Sequence, residues 1–434
     1  MSRRCPALLI TAPASGQGKT TLTAALAMGY RQRGLRVRLF KTGPDFLDPQ
    51  LLAAASGGPV DQLDLWLAGE QGCAALLHEA ADDADLILIE GVMGLFDGPA
   101  SAAHLARRFG LPLLAVIDAS QMAQTFAALV TGLACHDPLL QLWGAIANRV
   151  AGPGHAALLG MTNAPRRFGY LPQCPAAALP ERHLGLVDAA SIHDLDTRLS
   201  AALAALHWDF SQLPPAVSFP AATAASVPPW LSGVRVAVAQ DAAFCLCYPA
   251  SLRLLTQLGA ELRLFTPLAG DSLPDCDALY LPGGYPELYL QPLAANRALL
   301  AAIQAHHGAG KPLLAECGGL LYLAESLSNS AGEQAALAGL IPGHAHVGTA
   351  LVAIGYQQAE LTEGPVRGHS YHHGQLTTAL LPSAFGRGAD GSPLAEPLYR
   401  DGRLLASFIH GYWPATPLTL ARLLHPQPET LDAF

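Results

Sequence analysis

One cysteine stands where a nucleophile is typically placed. Cys317 follows the apolar residues 312–315 and is followed directly by Gly318 and Gly319. A buried strand that ends here and turns through two glycines into a helix would present the thiol at a sharp corner. The N–H groups at the start of that helix and the positive end of its dipole favour a thiolate and an oxyanion. The spacing predicts a nucleophile elbow, and the alternative is a small side chain buried in the core.

A thiolate nucleophile needs a base that is close in space. Among 16 histidines, His410 is the best candidate because it ends the apolar run at residues 405–409, which we expect to be a strand. This strand and the one before Cys317 should share a sheet, so that both residues emerge at its carboxyl edge. Typical triads place an acid two residues after the histidine, where this chain has Tyr412. His410 is then oriented from elsewhere, or the site is a Cys–His dyad.

A pair of glycines follows another expected strand. Residues 281–287 read Leu-Pro-Gly-Gly-Tyr-Pro-Glu. Backbone N–H groups in such a turn can stabilise an oxyanion from the side opposite the elbow. We therefore predict an oxyanion hole formed by Gly284 and Gly318; the alternative is an ordinary tight turn.

Near the start of the chain, a glycine-rich loop follows a strand pattern and precedes a helix pattern. Residues 15–21 read Ser-Gly-Gln-Gly-Lys-Thr-Thr, with Pro13 where the full phosphate-loop pattern has glycine. Backbone N–H groups would face phosphate oxygens, and the lysine would neutralise the β- and γ-phosphate charge. This segment predicts an ATP site. The residues predicted to contact ATP are Gly16, Gln17, Gly18, Lys19, Thr20, Thr21 and, from the second strand, Lys41.

Magnesium bound with ATP needs further oxygen ligands. In a parallel sheet they are expected at the carboxyl ends of neighbouring strands. Asp45 lies just after the second expected strand and Glu90 ends the third, so we predict that Thr20, Asp45 and Glu90 hold Mg²⁺. Asp48 and Asp97 are alternatives, and each acid could instead be a solvated loop carboxylate or a helix cap.

Composition limits the class of protein. The chain has 434 residues, of which 51% are hydrophobic and 14% charged, with a net charge of −9. This balance indicates large buried sheets and argues against nucleic acid or an anionic membrane as partner. The eight cysteines are scattered, as expected for reduced cytoplasmic thiols. We expect no signal peptide and no membrane span.

Strand and helix patterns alternate in two series. The first includes strands at residues 7–11, 37–41, 86–90, 113–118 and 145–148. The second includes strands at residues 234–239, 261–265, 278–281, 312–315 and 404–409, with β hairpins expected within 340–375. Alternation of this kind predicts parallel sheets and an α/β fold with two doubly wound domains. We predict an ATP-binding domain at 1–210, a linker rich in proline and alanine at 211–231, and a second domain at 232–434 that contains the cysteine elbow.

Five segments in order resemble one family closely, the a,c-diamide synthases of cobalamin biosynthesis. They are residues 41–49, 90–98, 181–187 and 283–287 and the elbow at Cys317. The resemblance implies an N-terminal half similar to dethiobiotin synthetase and a C-terminal half similar to class I glutamine amidotransferases. It also implies that the missing acid after His410 is normal for this branch. One departure is Ser370, at a position where the family usually has glutamate.

The resemblance implies a complete reaction. Cys317 and His410 would release ammonia from L-glutamine, and MgATP would convert a substrate carboxylate into an acyl phosphate that ammonia displaces. The substrate would be a tetrapyrrole with several carboxylates, hydrogenobyrinic or cobyrinic acid, and the protein could be a homodimer. Candidate residues for this substrate are Asp97, Arg166, Arg167, Arg182 and His183; a solvated basic surface is the alternative for the four basic residues.

Several rival functions remain open. Cobyric acid synthase and nickel-sirohydrochlorin a,c-diamide synthase use similar parts, and residues 181–187 favour the a,c-diamide branch over the former. Partition-type ATPases resemble the phosphate loop, but they carry a signature lysine where Ala14 stands and have no reason to carry a cysteine elbow. A regulatory protein derived from an inactive amidotransferase is disfavoured because Cys317 and His410 are both present.

Overall fold

A computed structural model describes residues 1–161, 167–182, 185–186, 189–222 and 226–433. The chain divides into two compact units, Met1–Ala224 and Ala225–Phe434, and this division lies within the segment predicted as a linker. Each unit has its own sheets and its own hydrophobic core.

The first unit alternates strands and helices. Its strands are β1 Arg3–Thr11, β2 Val37–Lys41, β3 Asp61–Gln62, β4 Leu86–Glu90, β5 Leu113–Asp118, β6 Leu142–Val150, β7 Arg167–Pro172, β8 Glu181–Arg182, β9 Gly185–Leu186 and β10 Ala216–Phe219. Its α-helices are α1 Lys19–Arg31, α2 Leu47–Ser56, α3 Gly69–Asp83, α4 Ala102–Phe109, α5 Thr125–Cys135, α6 Pro153–Leu158 and α7 Leu195–Ala205.

The main sheet of this unit has the strand order β3-β2-β4-β1-β5-β6-β7, and the neighbours in this order are parallel. Alternate residues of β1 pack into two separate cores, with Leu9 on one side and Leu8 and Ile10 on the other. Because both faces are covered, the strands are nearly continuous apolar runs. The predicted doubly wound α/β unit is confirmed.

Part of the predicted linker is a strand. β10 pairs antiparallel with the start of β1, with Val217 opposite Cys5. The stacked prolines at 214 and 215 precede this strand and do not interrupt it. Because β10 pairs with Arg3–Pro6 of β1, before the part of β1 that pairs with parallel strands, proline-rich surroundings are tolerated there.

The second unit has more strands than the first, and its largest sheet is mixed. Its strands are β11 Arg235–Ala239, β12 Glu261–Phe265, β13 Ala278–Leu281, β14 Leu313–Glu316, β15 Ala324–Ser328, β16 Gln334–Ala336, β17 Ile341–Val347, β18 Ala353–Leu361, β19 Gly364–His372, β20 Gly374–Thr377, β21 Ala384–Gly388, β22 Pro393–Asp401, β23 Leu404–Ser407 and β24 His410–Gly411. Its α-helices are α8 Pro249–Gln257, α9 Leu290–Ala295, α10 Arg297–Gly308, α11 Gly318–Leu323 and α12 Pro417–Leu424.

In the largest sheet of this unit the strand order is β12-β11-β13-β14-β23-β22-β21-β18-β19-β24, and the first five strands are parallel. The predicted hairpins are present, since β18 and β19 pair antiparallel along their whole length. One boundary in the prediction is wrong. The strand expected at 404–409 ends at Ser407, whose hydroxyl accepts a hydrogen bond from the Ile409 N–H at 3.2 Å, and His410 begins the separate strand β24.

Within the described residues, no helix combines the length and the apolar character that crossing a membrane requires.

Candidate active sites of the two units

The glycine-rich loop connects β1 to α1 and has the backbone that a phosphate loop needs. Gly16 and Gly18 have φ of 76° and 89°, a region that glycine adopts without steric cost. A Cβ atom on Gly18 would lie 2.1 Å from Nδ2 of Asn148, so only glycine fits there. The loop ends at Lys19, the first residue of α1, which places backbone N–H groups at the helix start.

The phosphate-loop lysine is held in place by backbone oxygens. Nζ of Lys19 donates to the carbonyl oxygens of Met93 at 2.7 Å and Ala14 at 3.2 Å. Burial, together with the nearby ammonium group of Lys41, lowers the pKa of Lys19 to about 8. An anion bound in this loop would stabilise the charged form of Lys19.

Lys41 lies at the centre of a buried charge cluster. Its Nζ lies 2.5 Å from Oδ2 of Asp48, 2.6 Å from Oε1 of Glu90 and 3.7 Å from Oδ2 of Asp45. Burial alone would lower the pKa of Lys41, but the three carboxylates raise it well above its ordinary value. The hydroxyl of Thr20 donates to the same Glu90 oxygen at 2.9 Å.

The acids of this cluster respond differently to burial. Burial and the neighbouring Asp48 raise the pKa of Asp45 to about 7. Burial also raises the pKa of Glu90, although Lys41 opposes that shift. For Asp48, burial alone would raise the pKa, but the Lys41 ammonium group and the hydrogen bonds to Asp48 together lower it. The predicted metal ligands therefore meet at one point, together with the alternative ligand Asp48.

A cavity of about 660 Å³ extends from the phosphate loop. It is lined by every residue predicted to contact ATP except Gln17. The Gln17 side chain points elsewhere, since its Oε1 accepts from the Asp118 N–H at 2.8 Å. Asp97 is not part of this lining, and its Oδ2 accepts from the Gly94 N–H at 2.9 Å.

Sequence reasoning missed the far wall of the cavity. Asn148 and Arg149 line it, together with residues 171–175, which include the end of β7 and the residues after it. Arg149 has a φ of 56°, and its guanidinium group contacts the Asp118 carboxylate at 2.7 Å. The signal available in the sequence was the polar end of β6, where Asn148 follows an apolar run.

The oxygen-rich cluster suits a magnesium ion. Among the described residues, Oε2 of Glu90 is a buried atom with no hydrogen-bond partner. A hydroxyl and carboxylates are the ligand types that Mg²⁺ prefers, and it is usually bound by one or two carboxylates plus phosphates. No group of three or more His, Cys, Asp or Glu side chains in the described part of the chain is arranged to hold a metal without other ligands. The residues thus fit an ion that arrives with ATP.

The second unit contains the predicted elbow. Cys317 lies between β14 and α11, with φ of 44° and ψ of −103°, a strained conformation for a residue with a side chain. Its N–H donates to the Ser407 carbonyl at 2.7 Å, which ties the turn to the neighbouring strand β23. Strain of this kind is typical of nucleophile elbows.

The thiol is more protonated than the sequence predicts. Cys317 is only 6% exposed, and burial raises its pKa well above the ordinary range. The carboxylates of Glu287 and Glu396 raise it further, while a hydrogen bond from the Gly318 backbone lowers it. Desolvation therefore outweighs the helix start, and the expected shift toward a thiolate is not found in the free protein.

His410 is placed by β19 as well as by its own strand. It pairs with His369, and their rings stack with centroids 5.2 Å apart. Burial, together with the nearby His372, lowers the pKa of His410 to about 3. A hydrogen bond to the Leu246 backbone opposes this shift, which is the effect of a carbonyl that accepts from the ring. The Leu246 N–H is already used, since it donates to the Gly283 carbonyl at 2.9 Å.

The turn after β13 contacts both parts of the site. A Cβ atom on Gly283 would lie 2.2 Å from Cε1 of His410. A Cβ atom on Gly318 would lie 2.7 Å from the backbone nitrogen of Gly284. One two-residue turn therefore lies against the imidazole on one side and against the elbow on the other. The structure brings the predicted oxyanion-hole residues Gly284 and Gly318 together.

Of the residues predicted to contact the tetrapyrrole, Asp97 and Arg167 have described side chains, and neither lines the cavity. Arg167 lies 3.5 Å from the Asp209 carboxylate and stacks over Trp143, and it is not among the residues lining the cavity. Arg166, His183 and the side chain of Arg182 lie outside the described residues.

Family models match both units. Residues 8–186 match the CobQ/CobB/MinD/ParA nucleotide binding domain, and residues 235–417 match the CobB/CobQ-like glutamine amidotransferase domain. A nucleotide-binding unit joined to a glutamine amidotransferase unit is the arrangement of a glutamine-dependent amidating ligase.

Curated relatives match almost the whole chain. A hydrogenobyrinate a,c-diamide synthase of Stutzerimonas stutzeri is 56% identical, over 98% of this chain and 100% of the relative. A protein of the same name from Pseudomonas aeruginosa is 54% identical, over 98% of both chains. A cobyrinate a,c-diamide synthase of Herminiimonas arsenicoxydans is 42% identical, over 97% of both chains. The chain therefore belongs to the family of hydrogenobyrinate and cobyrinate a,c-diamide synthases.

Proposed function

We propose that this enzyme uses ATP and glutamine to amidate the a and c side-chain carboxylates of hydrogenobyrinic acid. Two sites in one chain support this reaction type. One is the phosphate-loop cavity with its buried lysine, and the other is the cysteine elbow with the nearby strand that begins at His410. The substrate follows from the relatives. The two that are 56% and 54% identical are named for hydrogenobyrinate, whereas the one at 42% is named for cobyrinate.

In the amidotransferase unit, Cys317 attacks the side-chain carbonyl of glutamine. The raised pKa of the thiol and the lowered pKa of His410 favour a neutral pair. Proton transfer to His410 therefore accompanies the attack and does not precede it. Backbone N–H groups of Gly284 and Gly318 stabilise the oxyanion. The protonated imidazole then gives its proton to the leaving ammonia, and water hydrolyses the thioester to glutamate.

In the nucleotide unit, a substrate carboxylate attacks the γ-phosphorus of ATP and forms an acyl phosphate and ADP. Ammonia then displaces phosphate and leaves a carboxamide. Lys19 and Lys41 supply positive charge for the transferring group. Because Lys41 is paired with three carboxylates, it must exchange part of these contacts for phosphate oxygens. Mg²⁺ held by Thr20, Asp45 and Glu90 would neutralise phosphate charge when it is bound.

The test separates the two half reactions. Purified protein is supplied with MgATP, either glutamine or a high concentration of ammonium, and hydrogenobyrinic, cobyrinic or nickel-sirohydrochlorin substrates. Mass spectrometry identifies the amides formed. We expect a diamide from hydrogenobyrinic acid, and we expect Cys317→Ser to lose glutamine use while keeping ammonia-dependent amidation. An unchanged glutamine-dependent rate in Cys317→Ser would reject the thiol, and the absence of any diamide would reject the substrate class.

A further inference from the structure

The residue before the nucleophile is a buried carboxylate with an unusual set of partners. Glu316 ends β14 and is 3% exposed. Its Oε1 accepts hydrogen bonds from the Gly411 N–H at 3.1 Å and from Nε1 of Trp413 at 2.9 Å. Its Oε2 accepts from the Tyr280 hydroxyl at 2.8 Å. Three donors thus converge on one side chain.

Two of these donors belong to the segment that carries His410. Gly411 is its direct neighbour, and Trp413 follows two residues later. The same segment is held from the other side, because the Tyr412 N–H donates to the Arg367 carbonyl at 2.7 Å. A hydrogen bond of the Glu316 carboxylate therefore links Glu316, the neighbour of Cys317, to Gly411, the neighbour of His410.

An acid at this position is costly to the fold. The neighbouring residues of β14 are apolar and buried, and a leucine would suit such a strand. Burial raises the pKa of Glu316 to about 7, although the hydrogen bonds from Tyr280, Gly411 and Trp413 oppose that rise. Burying a charged group away from solvent lowers the stability of the fold. Its presence here indicates that its hydrogen bonds have a function.

We propose that Glu316 is the positioning residue for His410 and replaces the acid that is absent two residues after the histidine. It acts through the backbone at Gly411 and the indole of Trp413. The ring also has a hydrogen bond to the Leu246 backbone. This inference depends on the proposed roles of Cys317 and His410.

The test compares variants of the whole enzyme in glutamine hydrolysis and in ammonia-dependent amidation. Glu316→Gln keeps an acceptor oxygen for Gly411 and Trp413, whereas Glu316→Leu leaves all three donors without an acceptor. For Glu316→Leu we expect kcat for glutamine to fall about a hundredfold, the cost of misplacing a catalytic group by about 1 Å. KM for glutamine and the ammonia-dependent rate should change little, and Glu316→Gln should restore most of kcat.

Two matched aromatic variants test the direction of the effect. Trp413→Phe removes a donor on the side of His410, and Tyr280→Phe removes the donor on the opposite oxygen. A positioning role predicts a larger fall in kcat for Trp413→Phe, whereas a purely structural role predicts equal losses of kcat and stability. These two variants decide the question if Glu316→Leu does not fold.

Asp277→Asn serves as a control for stability. Asp277 accepts three hydrogen bonds from Arg235 in the same unit, at the opposite ends of the parallel strands. We expect Asp277→Asn to lower the stability of the protein without a selective effect on kcat for glutamine. If Cys317→Ser abolishes glutamine use while Glu316→Leu leaves kcat unchanged, the positioning role is wrong and the proposed function stands. If Glu316→Gln is as inactive as Glu316→Leu, the negative charge is what matters and the positioning role is also wrong.

Discussion

Lys41 shows how much of the nucleotide site depends on one side chain. It is 2% exposed, and its ammonium group compensates the fully buried carboxylate of Glu90 and the partly buried carboxylates of Asp45 and Asp48. A cluster like this is stable only as a unit, because each member is expensive without the others. Lys41 can contact a phosphate oxygen only by giving up part of these contacts, so we expect nucleotide binding to rearrange the cluster.

Replacing this lysine should destabilise the protein in a pH-dependent way. We expect Lys41→Met to lower the free energy of unfolding by about 3–5 kcal/mol near pH 8, because uncompensated carboxylates remain buried. The pKa of Asp45 is already raised to about 7, and that of Glu90 is raised as well. Lys41 holds both pKa values down, so without it these acids take up protons at a higher pH than in the wild type, and the deficit should shrink as pH falls through ~7. Urea unfolding on both sides of this pH measures the effect.

Arg36→Met is the control for this experiment. Arg36 pairs with Asp85 at the surface of the same unit, and we expect little change in stability there. A deficit in Lys41→Met that is the same near pH 8 and near pH 5.5 would contradict the argument, because titration of Asp45 and Glu90 would then play no part.

The thiol of Cys317 should be poorly reactive in the absence of glutamine. Its pKa is raised by burial, and alkylating reagents attack the thiolate. We expect iodoacetamide near pH 7 to label the exposed Cys135 well before Cys317, as measured by peptide mass spectrometry. Unfolded protein provides the control, since both thiols should then react at similar rates. Faster labelling of Cys317 in the folded protein would show that a thiolate is present before substrate binds.

At the scale of elements, the candidate amidotransferase site is formed by strands that are neighbours in the sheet but far apart in the sequence. β14 and β23 are adjacent and parallel, with Glu316 opposite Ser407. The turn after β13 fills the space between the elbow and the imidazole. The spacing of these backbones is therefore part of the catalytic geometry.

A methyl group in this turn should disable glutamine use. Gly283→Ala would place Cβ against the His410 ring, so the imidazole must move. We expect the glutamine-dependent rate to fall about a hundredfold while ammonia-dependent amidation continues. Gly308→Ala is the matched control, because a Cβ atom there meets no heavy atom within 4 Å. Equal behaviour of both variants would place the imidazole away from this turn.

Much of this arrangement was predictable because the ends of buried strands can be recognised in the sequence. Lys41, Glu90 and Cys317 each follow or end an apolar run, and parallel strands bring such ends to one edge. The place of His410 was predicted only approximately, since its strand is a separate one that pairs with β19. The partners of Glu316 could not be predicted, because they lie 95 and 97 positions away and contact it only after the sheet has formed.

At the scale of the whole molecule, the two proposed half reactions are assigned to two units with separate cores. A nucleotide analogue should therefore stabilise one unit selectively. We expect two unfolding transitions by calorimetry, and a non-hydrolysable MgATP analogue at about 100 times its Kd should add about 2.7 kcal/mol to one of them. Lys19→Ala should remove this gain. A single transition that shifts as a whole would mean that the units unfold together.

The short strand at residues 216–219 decides where the chain can be cut. It covers the edge of Arg3–Pro6, so a fragment that stopped at residue 210 would leave those backbone groups open. An uncovered edge is a template for strand addition by another chain, and such a fragment would be prone to self-association. A soluble nucleotide-binding fragment must extend at least through Phe219, beyond the domain boundary that composition alone suggests.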